Sequence, residues 1–208
     1  MNKSDHSGLR TWIEIDTKAI HANYRTFRKL IPKKVRIMGV VKSNAYGHNL
    51  TEFALPLERS GVDMLAVDSI LEALALRKAG IRVSILVLGY TLPEMFSKAL
   101  GKNIHLTISS IDGLRAFSKT PNTGKIPIHL KVDTGMHPQG FLFSEAKKVL
   151  KMLASANVNV AGLYTHFASA KDPNKRAFTE GQIEQFEQWR IAIAAGGFSP
   201  IIHASAKG

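Results

Sequence analysis

A lysine ends an apolar run in "VRIMGVVKSNAYGHN", residues 35–49. Lys42 follows Val40 and Val41 directly, and a polar stretch with Asn44, Tyr46, Gly47 and His48 follows it. An amine held where a strand leaves the core is poorly hydrated, which favours its neutral form, and a neutral amine condenses with an aldehyde to a Schiff base. Further groups able to do chemistry are Lys131 and Asp133 in "HLKVDTGM", His166 in "YTHFASA", and His203, Ser205 and Lys207 in "HASAKG". Each also has an ordinary use. A lysine stem snorkels to water, and a single histidine is commonly just hydrogen-bonded. Tyr46 can pack with its hydroxyl at the surface, and Lys131 can pair with Asp133. Their common placement separates the two readings, and that depends on the elements carrying them.

Those elements alternate. Apolar runs predict strands over 35–42, 63–69, 83–90, 104–110, 126–136, 160–170 and 200–206. Helical patterns lie before and between them, over 17–30, 50–61, 70–80, 92–103, 111–120, 144–157 and 180–197. Ile20, Tyr24, Phe27 and Leu30 set the first helical face. Strands alternating with helices imply parallel βαβ units, and continuously apolar strands imply cover on both faces. A doubly wound sheet and a barrel both satisfy this. No GxGxxG follows the first strand, so a dinucleotide site is unsupported. A TIM-type (β/α)8 barrel needs eight strands; seven are predicted, which makes the barrel incomplete at about seven βα units. Residues 1–10 form a polar extension and 11–208 the barrel domain.

A barrel carries its active site at the C-terminal ends of its strands. Those ends hold Lys42, Asn44 and Tyr46, then Asp68, Tyr90, Lys131, Asp133, His166, His203, Ser205 and Lys207. Polar and titratable groups thus converge on one rim. The common protein-bound aldehyde for such a lysine is pyridoxal phosphate, which needs a phosphate cradle and a group against its ring as well. In "HASAKG" a hydroxyl, an amine and glycine amides can meet an anion.

The bulk properties narrow the alternatives. The chain has no cysteine, which excludes disulfides, thiolate metal sites and cysteine nucleophiles, and no metal is expected. The net charge of +12 raises nucleic acid as a partner, yet the basic residues are scattered and no zinc-finger or aromatic-basic pattern accompanies them. A solvated basic surface is the plainer reading. "MNKSDHSGLR" lacks an apolar signal segment, and no run approaches the ~18 apolar residues of a membrane span. The expected location is the cytoplasm.

From Thr11 onward the chain resembles the alanine racemase family of pyridoxal-phosphate barrels. "TWIEIDTKAIHANY" resembles the family's opening and "VVKSNAYGHN" its cofactor-lysine motif. "LAVDSILEALALRKAG", "ILVLGY", "KVDTGM" and "YTHFASA" follow in the family's order. The resemblance implies that Lys42 binds the cofactor aldehyde and acts as one of two bases, that Tyr46 bonds the cofactor phosphate, and that His166 lies near its ring. Lys207 stands at the position of the family's phosphate-binding serine, with Ser205 two residues before it, and both are expected to meet the cofactor phosphate. The implied reaction removes the Cα proton of alanine and returns it on the opposite face. It also implies a homodimer, D-alanine supply for the cell wall, an eighth strand and a mainly β second domain that this sequence does not include. Activity of these residues alone is therefore expected to be weak or absent. Two positions depart from the family pattern. Pro138 stands where KxDTGMxRxGF has its arginine, and proline offers no donor. Lys207 stands where HxANS has its serine. In the family Lys131 matches an often carbamylated position that orients the arginine, a purpose lost with Pro138. A non-catalytic pyridoxal-phosphate-binding barrel is the alternative function.

Overall fold

The computed structural model describes residues 8–137 and 139–206. Residues 1–7 of the expected polar extension, Pro138 and Lys207 lie outside the described residues. Seven strands form one sheet: β1 (Met38–Val40), β2 (Met64–Val67), β3 (Ser84–Val87), β4 (Ile104–Ile108), β5 (Pro127–Lys131), β6 (Asn159–Phe167) and β7 (Ile201–Ala206). Every pairing is parallel, and the spatial order β1-β2-β3-β4-β5-β6-β7 is the chain order. This is the predicted incomplete (β/α) barrel. Among the described residues nothing pairs with the outer edges of β1 and β7.

The helices are α1 (Thr17–Leu30), α3 (Leu50–Arg59), α4 (Ile70–Lys78), α5 (Ile111–Lys119), α6 (Ala146–Ser155) and α7 (Arg176–Ala195), with α2 (Lys42–Tyr46) a short left-handed turn. Local chemistry sets their starts. Asp16 accepts from the amides of Lys18 and Ala19, Asn49 from Thr51 and Glu52, and Ser110 from Gly113, so orphan N–H groups of the first turns are satisfied. Ser69 and Glu72 form a reciprocal capping box on α4.

The core lies between sheet and helices. Leu65, Val67, Ile85, Val87, Leu106, Ile128, Leu130 and Leu163 face the helical layer and are fully buried. Phe96 meets Phe117 edge-on, and fully buried Trp189 packs between Phe141 and Phe143. On the other face, Ala66 and Leu86 are buried, but β4 to β7 present histidine, threonine and tyrosine.

Several element bounds differ from expectation, three of them as follows. Residues 92–103 form a 3-10 helix, Pro93–Ala99, rather than an α-helix. Pro93 lacks a donor, and left-handed Gly101 and Asn103 stop the segment before α-turns accumulate. The first strand ends at Val40, and Lys42 already belongs to the turn. The fifth ends at Lys131, because Asp133 Oδ1 accepts from the amides of Gly135 and His137 and folds the chain back. Phe141 then bridges to Val132.

Candidate active site

The lysine turn begins where β1 stops. Val41 still bonds the sheet, its amide donating to Ala66 O at 2.7 Å. The next residues reverse hand: Ser43, Asn44, Ala45 and Tyr46 have φ of 55, 54, 53 and 54°. Such a turn brings Cβ against the following carbonyl, at roughly 1–2 kcal/mol per residue. Several bonds offset this. Ala45 donates to Val41 O at 2.9 Å and Gly47 to Asn44 O at 3.1 Å, while Gly47 itself (φ 90°) ends the turn without penalty. The Asn44 amide donates to Glu72 Oε1 at 2.9 Å, and Asn44 Oδ1 accepts from the Leu50 amide at 2.8 Å, tying the turn to the starts of α4 and α3. Ala45 is buried beneath the turn. Lys42 is left half-buried at the rim and Tyr46 exposed.

Lys131, at the end of β5, is also half-buried. Burial lowers its pKa, the positive charge of Lys42 lowers it further, and Asp133 opposes both. The two lysines are thus within electrostatic reach. Lys131 Nζ stands 6.0 Å from the Tyr164 ring centroid. Beside it, burial alone would raise the Asp133 carboxyl. Hydrogen bonds from the Gly135 and His137 amides, and from the His137 ring at 2.7 Å, outweigh that and hold it below the usual range. His137 adopts a positive φ of 60° to make this pair.

Deeper in the sheet's concave face is a row that sequence reading missed. His105 Nδ1 lies 3.0 Å from His129 Nε2, and His129 Nδ1 lies 2.8 Å from His203 Nε2. The Tyr164 ring stacks on His203 at 4.7 Å, and its hydroxyl meets Thr107 Oγ1 at 3.1 Å. His129 reaches from β5 past β6 to β7, which requires a curled sheet and a bare position between them. Gly162 supplies it: a Cβ there would lie 2.0 Å from His129 Nδ1. Burial pushes His105 and His203 down to about 4, with Arg77 adding to the effect at His105. His129 falls further, to about 2, through burial and then its two neighbours. Burial raises the Tyr164 phenol, against the pull of Thr107. The available signal was period-two spacing: His105 and Thr107, His129 and Lys131, Tyr164 and His166 each share a strand face.

The remaining predicted residues fall as follows. His166 stands two residues beyond Tyr164 on β6, paired in register with Ser205 of β7. This puts the predicted positions of β6 and β7 on one level of the rim. The side chain of Ser205, and Lys207 and Pro138 altogether, lie outside the described residues.

A parallel sheet in chain order, curled so that β4, β5 and β7 meet side chain to side chain, with two lysines at its C-terminal rim, defines a (β/α)-barrel protein with an amine-bearing site. Alanine racemase from Bacillus anthracis with bound L-Ala-P has this fold, with a TM-score of 0.86 at 32% identity over 93% of this chain and 51% of that one. The alanine racemase of Clostridium difficile 630 in complex with cycloserine superposes with a TM-score of 0.81 at 29% identity, covering 92% of this chain and 53% of that one. The family described as "Alanine racemase, N-terminal domain" matches residues 15–206, and the chain belongs to it. An alanine racemase of Methanococcus maripaludis is 39% identical over 199 residues, 93% of this chain and 53% of that protein. An amino-acid racemase of Enterococcus faecalis is 42% identical over 159 residues, 76% of this chain and 22% of that protein. The chain spans about half the length of most of the curated relatives it matches.

Proposed function

We propose that this chain is the cofactor-binding part of a pyridoxal-phosphate-dependent racemase that interconverts L- and D-alanine. The observation that carries the reading is half-buried Lys42 just beyond the C-terminal end of β1, within electrostatic reach of Lys131, whose own pKa is lowered by burial and by Lys42, in a chain matched to the family over 15–206. The residues present fit the cofactor in kind. Lys42 supplies the amine for its aldehyde, Tyr46 and the Ser205–Lys207 segment the donors for its phosphate, and His166 a ring beside its own. When bound, pyridoxal phosphate supplies an electron-accepting ring that stabilises charge left on the substrate Cα. Lys42 Nζ takes the Cα proton from one face or returns it there. Inversion needs a second acid–base group on the opposite face, and losing one such group costs ~10²–10⁴-fold. The reading extends to a cytoplasmic homodimer of the complete protein, supplying D-alanine for the cell wall. No described helix is long and apolar enough to cross a membrane.

One observation favours a second reading. Pro138 removes the arginine of the family pattern, as fits a barrel that binds pyridoxal phosphate without catalysis. A titration decides between them. The 208-residue chain is mixed with pyridoxal phosphate, reduced with borohydride and mapped. The expected result is a label on Lys42 that disappears in Lys42→Ala. An unlabelled Lys42, or equal labelling in the variant, overturns the assignment. Alanine that shifts the absorbance of the bound cofactor and exchanges its Cα hydrogen with solvent supports the racemase; no response supports the carrier.

A further inference from the structure

Glu72 is the third residue of α4, where a glutamate ordinarily reaches back to the N-cap amide and does nothing more. Here its two oxygens serve different elements. Oε2 accepts from the Asp68 amide at 2.8 Å and from the Ser69 amide at 3.4 Å. Oε1 accepts from the Asn44 amide at 2.9 Å. The need for that second bond follows from the turn. A helical turn of either hand leaves its first amides without an internal acceptor. Ala45 reaches back four residues to Val41 O, but the corresponding acceptor for Asn44 would be Val40 O, in the sheet. The carboxylate of Glu72 takes its place, from 28 residues along the chain.

We propose that Glu72 is the positioning residue of the lysine turn: by buckling Asn44 to the end of β2 it sets where Lys42 Nζ sits at the rim. This rests on the assignment of Lys42 as the amine that meets pyridoxal phosphate. Lys42 lies two residues before Asn44, on the free side of the turn. The opposite side is already held by the Asn44 Oδ1 bond to Leu50. Without Glu72 the turn keeps its tie to α3 and the Val41 bond to β2 but loses the bond that holds Asn44 to the start of α4, so the amine samples a wider volume.

The competing role is the capping of α4 alone, and Ser69→Ala isolates it. That change removes the hydroxyl that accepts from the Glu72 amide at 3.2 Å and leaves the turn untouched. The test uses the full 208-residue chain with Glu72→Ala, Glu72→Gln and Ser69→Ala. It reads borohydride-fixed labelling of Lys42 by pyridoxal phosphate, and amide exchange over 43–48 and 70–78 without ligand. Glu72→Ala is expected to raise the half-saturating pyridoxal phosphate concentration about tenfold, the worth of one hydrogen bond to a charged group. It also speeds exchange over 43–48. Ser69→Ala speeds exchange only over 70–78 and labels as the unsubstituted chain does. Glu72→Gln has one oxygen and cannot accept on both sides, so it falls between them, and it carries the comparison if Glu72→Ala does not fold. Unchanged labelling and unchanged exchange over 43–48 in the Glu72 variants overturn the proposal, as does an identical response of Glu72→Ala and Ser69→Ala. If the unsubstituted chain never labels Lys42, the functional assignment fails by itself. Exchange over 43–48 then decides the buckle: faster in Glu72→Ala supports it, equal rates overturn it.

Discussion

Four successive L-residues in the left-handed region, Ser43 to Tyr46, follow Lys42 and fix the path of the chain beyond it. The conformation persists because polar groups from three elements fix it, as strained backbone requires. Ser43 is exposed, so its side chain tests the backbone alone. A β-branched side chain tolerates positive φ worst. Ser43→Val is expected to lower stability by ~1–2 kcal/mol, measured as a urea midpoint, while Ser43→Gly leaves it equal or raises it. The sequence announces part of this. Asn44, Gly47 and Asn49 favour left-handed backbone, and the lysine's place at a strand end is visible in the apolar run before it. Ala45 and Tyr46 announce nothing, since neither prefers positive φ. Glu72 was hidden for another reason: capping α4 accounts for it fully, and its second contact is tertiary.

At the scale of elements, the apolar strand pattern carried the βαβ alternation, and the structure keeps it. It did not carry the histidine row, because His105, His129 and His203 lie on three strands and meet only once the sheet curls. The row has a pH signature. Its folded pKa values lie below the ordinary 6.5, so the unfolded chain binds protons first as pH falls. The neutral row's contribution is intact above about pH 6.5 and is lost as pH drops toward 4, at about 1.4 kcal/mol per pH unit for each histidine within its window. The urea midpoint is therefore expected to fall steeply between pH 6.5 and 4. His105→Phe, which keeps a buried ring without a titrating nitrogen, should show a shallower fall; an unchanged slope would remove His105 from the account.

For the whole molecule, the edges and the charge act against each other. β1 and β7 have no outer partner among the described residues, and Val40, Ile201 and Ile202 are each about 40% exposed there. A groove of about 680 Å³ runs beside β1, lined by Tyr24, Phe27, Ile31, Met38, Phe53 and Leu57. Unpaired strand edges and apolar grooves favour association, and a net charge of +12 opposes it. Salt at 0.1 M screens charges beyond about 10 Å. The chain is expected to self-associate, more strongly as salt rises; light scattering that stays monomeric across that range would contradict this. The seven-stranded shortfall was legible by counting strands.

The strand order has a further consequence in time. Each strand's sheet neighbours are the strands just before and after it in the chain, so ordering can proceed from the N-terminus during synthesis, one βα unit upon the last. Glu72 belongs to the second unit, so the lysine turn acquires its anchor early. His203 comes from β7, so the imidazole of His129 waits for its second partner until that strand docks. The rim is thus assembled from its oldest part, with Lys42 in place before the strands that carry Lys131 and His203 have joined the sheet.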